Sequence, residues 1–246
     1  MAYSVAVKNV TKRMKENLAL DSLSIHFQEA KMHGVIGPEG AGKTTLLRML
    51  AGLLRPNSGE ITYSLSEMGK IVNEVTFSVV KNDLAYMPQL PSLYPDLSVS
   101  EHLDFFSEIY QLDKKLYEHK RNELLKITRL DKFVDRSAGK LSGGMYKKLG
   151  LMCVLLRSPK IILLDEPTNG VDPISRREFW EMLYKLLKEN ILIIISTAYM
   201  DEAERCEMAH LLQSGKLLVS GEPRKLLLEY KTKNICELFI KQTATS

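Results

Sequence analysis

The sequence predicts an α/β fold in which a mainly parallel sheet is covered by helices on both faces. Short apolar, β-prone segments alternate along the chain with segments whose apolar residues recur at helical spacing, as parallel α/β folds require. Two of the strand segments, residues 161–164 and 191–195, are apolar at every position. Such segments are typical of strands that are buried on both faces of a sheet.

Length and composition indicate an ordinary globular chain. Its 246 residues are 45% apolar and 26% charged, which favours a large core and argues against disorder. The net charge of +4 is too small to indicate a nucleic-acid partner. Three cysteines without metal-like spacing point to a reducing cytosol. We find no signal peptide and no run near the roughly 18 apolar residues that span a bilayer.

The first 89 residues are predicted to form strands around one helix. Residues 5–10 and 23–27 alternate apolar and polar side chains, which predicts half-buried strands, with a polar turn at 11–17 between them. Residues 35–36 form a strand before a glycine-rich loop, and the helix after that loop is expected to end near Gly52. Further strands are predicted at residues 60–63, 75–80 and 84–87.

Residues 90–157 are predicted to be mostly helical, and strands and helices are predicted to alternate after them. Ser98 and Glu101 have the spacing of a capping box at a helix start. Further helices are predicted at residues 114–128, 142–157, 174–189, 199–207 and 223–230, with two strands flanking the turn at 214–215. We therefore treat residues 1–246 as one domain, divided into a core and β lobe (1–89 and 158–230), a helical lobe (90–157) and a polar tail (231–246).

Residues 37–44 match the phosphate-binding pattern G-x-x-x-x-G-K-[ST] between a strand and a helix. The glycines allow several backbone N–H groups to converge on an anion, and the helix N-terminus adds its positive dipole end. Lys43 is placed to reach the β and γ phosphates, and the Thr44 hydroxyl to bind Mg²⁺. The nucleotide-binding residues predicted here are Gly37, Pro38, Glu39, Gly40, Ala41, Gly42, Lys43, Thr44 and Thr45.

Two carboxylates follow the apolar strand at 161–164. A phosphate loop needs one carboxylate to hold Mg²⁺ and another to polarise the attacking water. We therefore predict that Asp165 binds the metal and that Glu166 is the catalytic residue.

Five more motifs stand in an order that resembles one family. Residues 141–145 (LSGGM) resemble the ABC signature, 86–89 (YMPQ) the Q-loop and 163–168 (LLDEPT) the Walker B segment. Residues 170–173 (GVDP) resemble the D-loop and 196–204 the switch region. The chain thus resembles an ABC transporter ATPase subunit or domain, nearest to bacterial drug and ABC-2-type exporters, including the first half of tandem-ATPase members.

This resemblance implies a head-to-tail pair of such domains closing over two ATP molecules, with Mg²⁺. Ser142, Gly143 and Gly144 would contact the ATP held by the partner domain, and Asp172 would lie at the shared site. Gln89 would sense the γ-phosphate and Mg²⁺ for the helical lobe, which would face a membrane permease. We expect a peripheral location on the cytoplasmic face of the membrane.

Two positions depart from the family pattern. The aromatic residue that stacks on adenine is replaced by Met14, with Tyr3 as an alternative contact. The switch histidine is replaced by Ala198, while the following Asp201–Glu204 pattern keeps the register. An alanine can neither hydrogen-bond the γ-phosphate nor orient Glu166, so we expect slow hydrolysis at this chain's own site.

Other functions remain open from the sequence. The alternatives are a soluble ABC ATPase acting on ribosomes or DNA and a non-hydrolysing regulatory domain. The former usually has paired ATPase domains with long linkers or coiled-coil insertions, and this sequence has neither.

Overall fold

The computed structural model describes residues 2–67 and 70–244, and it confirms the predicted α/β class. The strands are β1 (Ala2–Met14), β2 (Asn17–Phe27), β3 (Met32–Ile36), β4 (Ser58–Glu67), β5 (Lys70–Val75), β6 (Leu84–Met87), β7 (Ile161–Asp165), β8 (Leu192–Thr197), β9 (Met208–Gln213) and β10 (Lys216–Gly221). The α-helices are α1 (Lys43–Leu50), α2 (Phe77–Val80), α3 (Val99–Ile109), α4 (Lys114–Thr128), α5 (Gly143–Leu155), α6 (Pro173–Leu187), α7 (Pro223–Tyr230) and α8 (Ile235–Ala244).

The strands form two sheets. The central sheet has the order β10-β9-β3-β8-β7-β6, and its pairs are parallel except for the antiparallel β9–β10 hairpin. The second sheet has the order β2-β1-β4-β5 and is antiparallel throughout. Because parallel strands end at the same edge, the residues after β3, β6, β7 and β8 are brought together there.

The central strands are apolar throughout because both faces of the sheet are buried. Ile162 and Leu164 of β7 pack into a core with the helices α3 to α6. Ile161 and Leu163, the alternate residues, pack into a second core with α1 and the antiparallel sheet. The alternation of side chains along a strand therefore supplies two cores from one segment.

Helix predictions are largely confirmed where a cap or a stop signal accompanies the periodicity. Ser98 and Glu101 form the expected capping box at the start of α3. The helices α4 and α7 occupy the predicted residues. Helix α5 begins at Ser142, whose hydroxyl accepts a hydrogen bond from the Met145 N–H at 3.3 Å.

Two predictions in the β lobe need correction. The turn predicted at residues 11–17 is confined to residues 15–16, because β1 and β2 extend toward each other until Met14 pairs with Asn17. Residues 75–80 are not a strand, since β5 ends at Val75 and the short helix α2 follows. The tertiary environment overrides the β preference of that run, because Val80 is buried and Phe77 packs against Tyr63.

The last quarter of the chain differs in two details. The helix expected at 199–207 is a 3₁₀ helix, Met200–Arg205. The segment expected to be a polar tail contains α8, which is amphipathic and buries Ile235 and Leu238. Residues 245 and 246 of that expected tail lie outside the described residues.

Among the described residues, no helix combines the length and the apolar character needed to cross a membrane.

Candidate nucleotide-binding site

The glycine-rich loop lies between β3 and α1 with its backbone in a conformation that glycine favours. Gly42 is the N-cap of α1 and has a φ of +100°. A Cβ atom at this position would lie 2.4 Å from the Ala19 carbonyl oxygen, so the close approach of the β2 backbone also excludes a side chain. The first turn of α1 follows directly, and the N–H groups at a helix N-terminus lack intrahelical partners and favour an anion.

Lys43 points back over this loop. Its ammonium donates to the carbonyl oxygens of Gly37 at 2.8 Å and Pro38 at 2.9 Å. It also forms an ion pair with Glu166 Oε1 at 3.2 Å. The lysine side chain is only 4% exposed, so its charge is compensated locally by these three acceptors.

Asp165, at the end of β7, is held by hydroxyl groups from three elements. Ser196 of β8 donates to Oδ1 at 2.5 Å, and Thr44 of α1 donates to the same oxygen at 3.1 Å. Tyr86 of β6 donates to Oδ2 at 3.3 Å. Burial and the nearby Asp165 charge raise the pKa of Tyr86, which therefore remains a donor.

Glu166 follows Asp165 in an unusual backbone conformation. Its φ of +44° lies in the left-handed region, where a non-glycine residue is uncommon. Its N–H donates to the Ser196 carbonyl oxygen at 3.1 Å and to the Ser196 hydroxyl at 3.0 Å, which holds the strained turn. Gln89 Nε2 and Asn169 Nδ2 donate to Glu166 Oε2 at 3.0 and 3.1 Å. The carboxylate is thereby aimed at the phosphate loop.

These groups surround an open cavity of about 790 Å³. Its lining comprises Met14, Asn17, Leu18, Ala19, Glu39, Gly40, Ala41, Gly42, Lys43, Thr44, Thr45, Gln89, Glu166 and Ser214. Gly37 and Pro38 contribute through their carbonyl oxygens on Lys43. The phosphate loop thus forms one end of the cavity lining, and the β1–β2 hairpin contributes the apolar Met14, Leu18 and Ala19.

Tyr3, the alternative base contact, does not line this cavity. Its side chain is buried beside Asp83, and its hydroxyl donates to Asp83 Oδ2 at 2.6 Å. Met14 instead lies at the tip of the hairpin, with 43% of its surface exposed. The geometry therefore favours Met14 over Tyr3 as the residue facing a base.

The residues present fit a Mg²⁺ ion that is shared with a phosphate. Among residues 2–67 and 70–244, no group of three or more His, Cys, Asp or Glu side chains could hold a metal alone. Thr44 and Asp165 already meet at 3.1 Å, and Gln89 lines the same cavity. Magnesium commonly binds through one or two protein oxygens together with substrate phosphates, and it would neutralise the charge of those phosphates.

A smaller cavity of about 190 Å³ lies beside Ala198, the position at which the sequence predicts the loss of a switch histidine. It is lined by Glu39, Glu166, Asn169, Thr197, Ala198 and Tyr199. Ala198 is exposed, and its methyl group offers no donor to this space.

The other predicted residues lie outside the large cavity. Ser142 and Gly143 are exposed, whereas Gly144 is packed against α6, where a Cβ atom would lie 2.4 Å from the Ser175 side chain. Asp172 caps α6 by accepting from the N–H groups of Ile174 and Ser175 at 3.1 and 3.0 Å. These backbone hydrogen bonds lower the pKa of the Asp172 carboxyl.

Sequence reasoning missed two residues of the site. Asn169 contacts Glu166 directly, and Lys147 of α5 reaches the carbonyl oxygens of Gln89 and Glu166. Burial lowers the pKa of Lys147, while the Asp165 and Glu166 charges act in the opposite direction. The position of Lys147 in a largely apolar helix is unusual for a lysine, and this could have marked it as a candidate. Its partners could not be predicted, because Gln89 and Glu166 are distant from it in the sequence.

Known proteins are similar to this chain in sequence. The sequence profile of the family described as "ABC transporter" matches residues 20–169. The chain is 48% identical over 199 residues to the probable multidrug ABC transporter ATP-binding protein YbhF of Escherichia coli, a match covering 78% of this chain but 32% of that protein. It is 33% identical over 239 residues to the Nod factor export ATP-binding protein I of Burkholderia lata, covering 97% of this chain and 77% of that protein.

A solved structure gives the same result for the fold. The protein described as the ATP binding subunit of an ABC transporter superposes with a TM-score of 0.81 at 26% identity, covering 97% of this chain and 99% of that one. The phosphate loop, the two carboxylates after β7 and the helical lobe are thus features of a common architecture. The chain belongs to the family of ABC transporter ATP-binding domains, which are ATPases coupled to transport.

Proposed function

We propose that this chain binds MgATP and works as one of two ATPase domains that power export through a membrane permease. Lys43 and the N–H groups of residues 37–45 would bind the phosphates, and Thr44, Gln89 and Asp165 the metal. Glu166 would polarise the attacking water, and Met14 would contact the base. The names of the bacterial relatives, a multidrug transporter and a Nod factor export protein, support export as the use of the energy.

One observation supports the proposal that a second ATPase domain is needed. The signature residues Ser142 and Gly143 are exposed, and none of residues 142–144 lines the cavity of the phosphate loop. Residues specialised for γ-phosphate contact therefore have no ligand to contact within their own chain. A head-to-tail partner would bring its phosphate loop to them and offer its own signature to Lys43, with Asp172 near the shared site.

We also propose that the two sites of the pair are unequal. Glu166 has Gln89 and Asn169 as hydrogen-bond partners, but Ala198 supplies no group for the γ-phosphate. Loss of one positioned donor typically lowers turnover by about 10²- to 10³-fold. This chain would then hold its own ATP and complete a faster site on a different partner.

The permease would select the exported substrate, and the ATPase domain would sit on the cytoplasmic side through contacts with it. The chain spans 32% of the length of the Escherichia coli relative, so a second ATPase domain in the same polypeptide is compatible with the match. A tandem or hetero-pair is therefore our preferred form of the partner.

The test compares steady-state ATP hydrolysis by the isolated chain and by the chain assembled with its partner and permease. We expect slow turnover by the isolated chain and faster turnover by the assembly. Ser142→Trp should lower the assembly rate, because the bulky side chain blocks the partner's phosphate. Fast turnover by the isolated chain, or an assembly rate unaffected by Ser142→Trp, would refute the unequal pair.

A further inference from the structure

Helix α5 carries a buried lysine that reaches two loops of the nucleotide site. Lys147 is 7% exposed, and its ammonium donates to the carbonyl oxygen of Gln89 and, at 3.5 Å, to that of Glu166. Gln89 follows β6 and Glu166 follows β7, so one side chain joins the ends of two adjacent strands. Because Lys147 contacts the backbone carbonyl oxygens of Gln89 and Glu166 and not their side chains, it affects where these two residues lie and not their charge.

The loop after β6 is attached to α5 at further points. The Tyr146 hydroxyl donates to the Pro91 carbonyl oxygen at 2.7 Å and accepts from the Leu93 N–H at 3.3 Å. A Cβ atom at Gly150 would lie 2.9 Å from the Pro91 side chain. Tyr146 and Gly150 fasten the loop alone, whereas Lys147 also fastens the residue that carries the catalytic carboxylate.

From this geometry we infer that Lys147 is a positioning residue that sets Gln89 and Glu166 of its own chain relative to α5, the helix opened by the signature. A shift of α5 then moves both residues together. The inference deepens the proposed function, since Gln89 is one of the residues proposed to bind Mg²⁺.

The same geometry predicts a selective effect on nucleotide binding. Lys147 contacts neither the phosphate loop nor Met14, and it acts on Lys43 only through Glu166, so binding of metal-free ATP should depend on it much less than binding of MgATP does. Gln89 depends on Lys147 for its position, so binding of ATP with Mg²⁺ should depend on it. A general loss of folding would weaken both forms of the nucleotide equally.

The experiment measures the Kd of the full chain for MgATP and, in excess chelator, for metal-free ATP. For Lys147→Met we expect MgATP binding about tenfold weaker, the size of one charge-assisted hydrogen bond, and metal-free binding within about twofold of the original chain. Lys147→Arg keeps a cation with several N–H donors and should restore most of the MgATP affinity.

Lys148→Met is the matched control. Lys148 is the next residue on α5 and also buried, but it pairs with Glu178 at 2.5 Å, away from the cavity. The Lys148→Met variant should leave the ratio of the Kd for MgATP to the Kd for metal-free ATP unchanged. If Lys147→Met does not fold, Lys147→Gln, which retains an amide donor, is judged by the same ratio.

Unchanged binding by a folded Lys147 variant, or equal weakening of both nucleotide forms, would overturn the positioning role. A change of the ratio in Lys148→Met would overturn it as well. Failure of the unaltered chain to bind MgATP would count against the proposed function instead.

Discussion

At the scale of single residues, Ala198 lies where a larger side chain could reach Glu166. The methyl group borders a cavity of about 190 Å³ that also touches Glu166 and Thr197. A side chain with a hydrogen-bond donor has room there, and the donor would lie beside the Glu166 carboxylate. Under the proposed function, residue 198 would then supply the donor that the site lacks.

Ala198→His should raise ATP turnover at saturating MgATP by about 10²-fold, because it supplies the positioned donor that residue 198 now lacks. Ala198→Leu fills the same space without a donor and should leave turnover low. Equal gains in the two variants would show that filling the cavity, rather than the imidazole, is responsible.

Met14→Tyr should strengthen ATP binding by about threefold to tenfold, since an aromatic ring stacks on a base more favourably than a thioether does, by ~0.5–1.5 kcal/mol. Calorimetric titration with inorganic triphosphate is the control, because that ligand has no base and should bind both proteins equally. A matching gain for inorganic triphosphate would contradict a base contact at Met14.

At the scale of elements, a buried carboxylate joins the 3₁₀ helix Met200–Arg205 to α6. Glu202 is fully buried, and its Oε1 accepts from Thr168 at 2.7 Å, from Arg176 Nε at 2.7 Å and from Trp180 at 3.1 Å. Among the described side chains, Glu202 Oε2 has no hydrogen-bond partner. Glu202 Oε1 thus links the segment after Ala198 to α6, and the Arg176–Asp201 ion pair at 3.0 Å adds a second link.

Arg176→Ala should lower the free energy of unfolding by about 2–4 kcal/mol, because it leaves the Glu202 charge buried without its cation. Arg177→Ala is the matched control on the same helix. Arg177 is 79% exposed, and among the described residues its ion-pair partner is Glu181, which is 48% exposed, so its removal should cost less than about 1 kcal/mol. Similar losses in chemical denaturation would show that Glu202 does not need Arg176.

Elements with local signals could be predicted from the sequence, and those shaped by distant contacts could not. The capping residues Ser98 and Glu101 and the apolar run of β7 act within a few residues, so α3 and β7 were found correctly. The run around Val80 has strand-like residues but folds as a helix against the β lobe.

The candidate site divides in the same way. The phosphate loop and the Asp165–Glu166 pair can be identified from the spacing of their residues, because their chemistry requires residues that are neighbours in the sequence. Lys147 acts on residues that the fold brings near it, and no spacing in the sequence marks such pairs. Asn169 is only three residues from Glu166, and the turn closed by its N–H on the Glu166 carbonyl oxygen at 3.2 Å places its side chain on that carboxylate.

At the scale of the whole molecule, two histidines are enclosed between the central sheet and its neighbours. His33 of β3 and His210 of β9 are fully buried, with His33 Nδ1 and His210 Nε2 2.9 Å apart. Gln28 and Ser220 contact the outer nitrogens at 3.1 and 2.7 Å. Burial lowers the pKa of His33 to about 3 and holds that of His210 well below its usual range.

Stability should therefore fall on acidification. Below a pH of about 6.5, the pKa of histidine in an unfolded chain, both histidines bind protons in the unfolded state but not in the folded state. Each histidine therefore lowers the free energy of unfolding by up to ~1.4 kcal/mol per pH unit below that value. The nearby Lys31 and His26 charges further oppose protonation of His33, and above about pH 6.5 this effect vanishes.

Chemical denaturation between pH 4 and 8 measures this slope. His210→Gln should reduce it by about one histidine's share, because glutamine does not titrate. His119→Gln makes the same replacement at an exposed histidine of α4 and should leave the slope nearly unchanged. An unaltered slope in His210→Gln would show that other groups dominate the acid response.

The ion pair between Lys43 and Glu166 has a consequence for the proposed hydrolysis. The carboxylate lies 3.2 Å from the same ammonium group that would bind phosphate. A triphosphate carries several negative charges and would compete for Lys43, which would leave Glu166 able to accept a proton from water. Under the proposed function, binding of ATP would therefore release the base that acts on it.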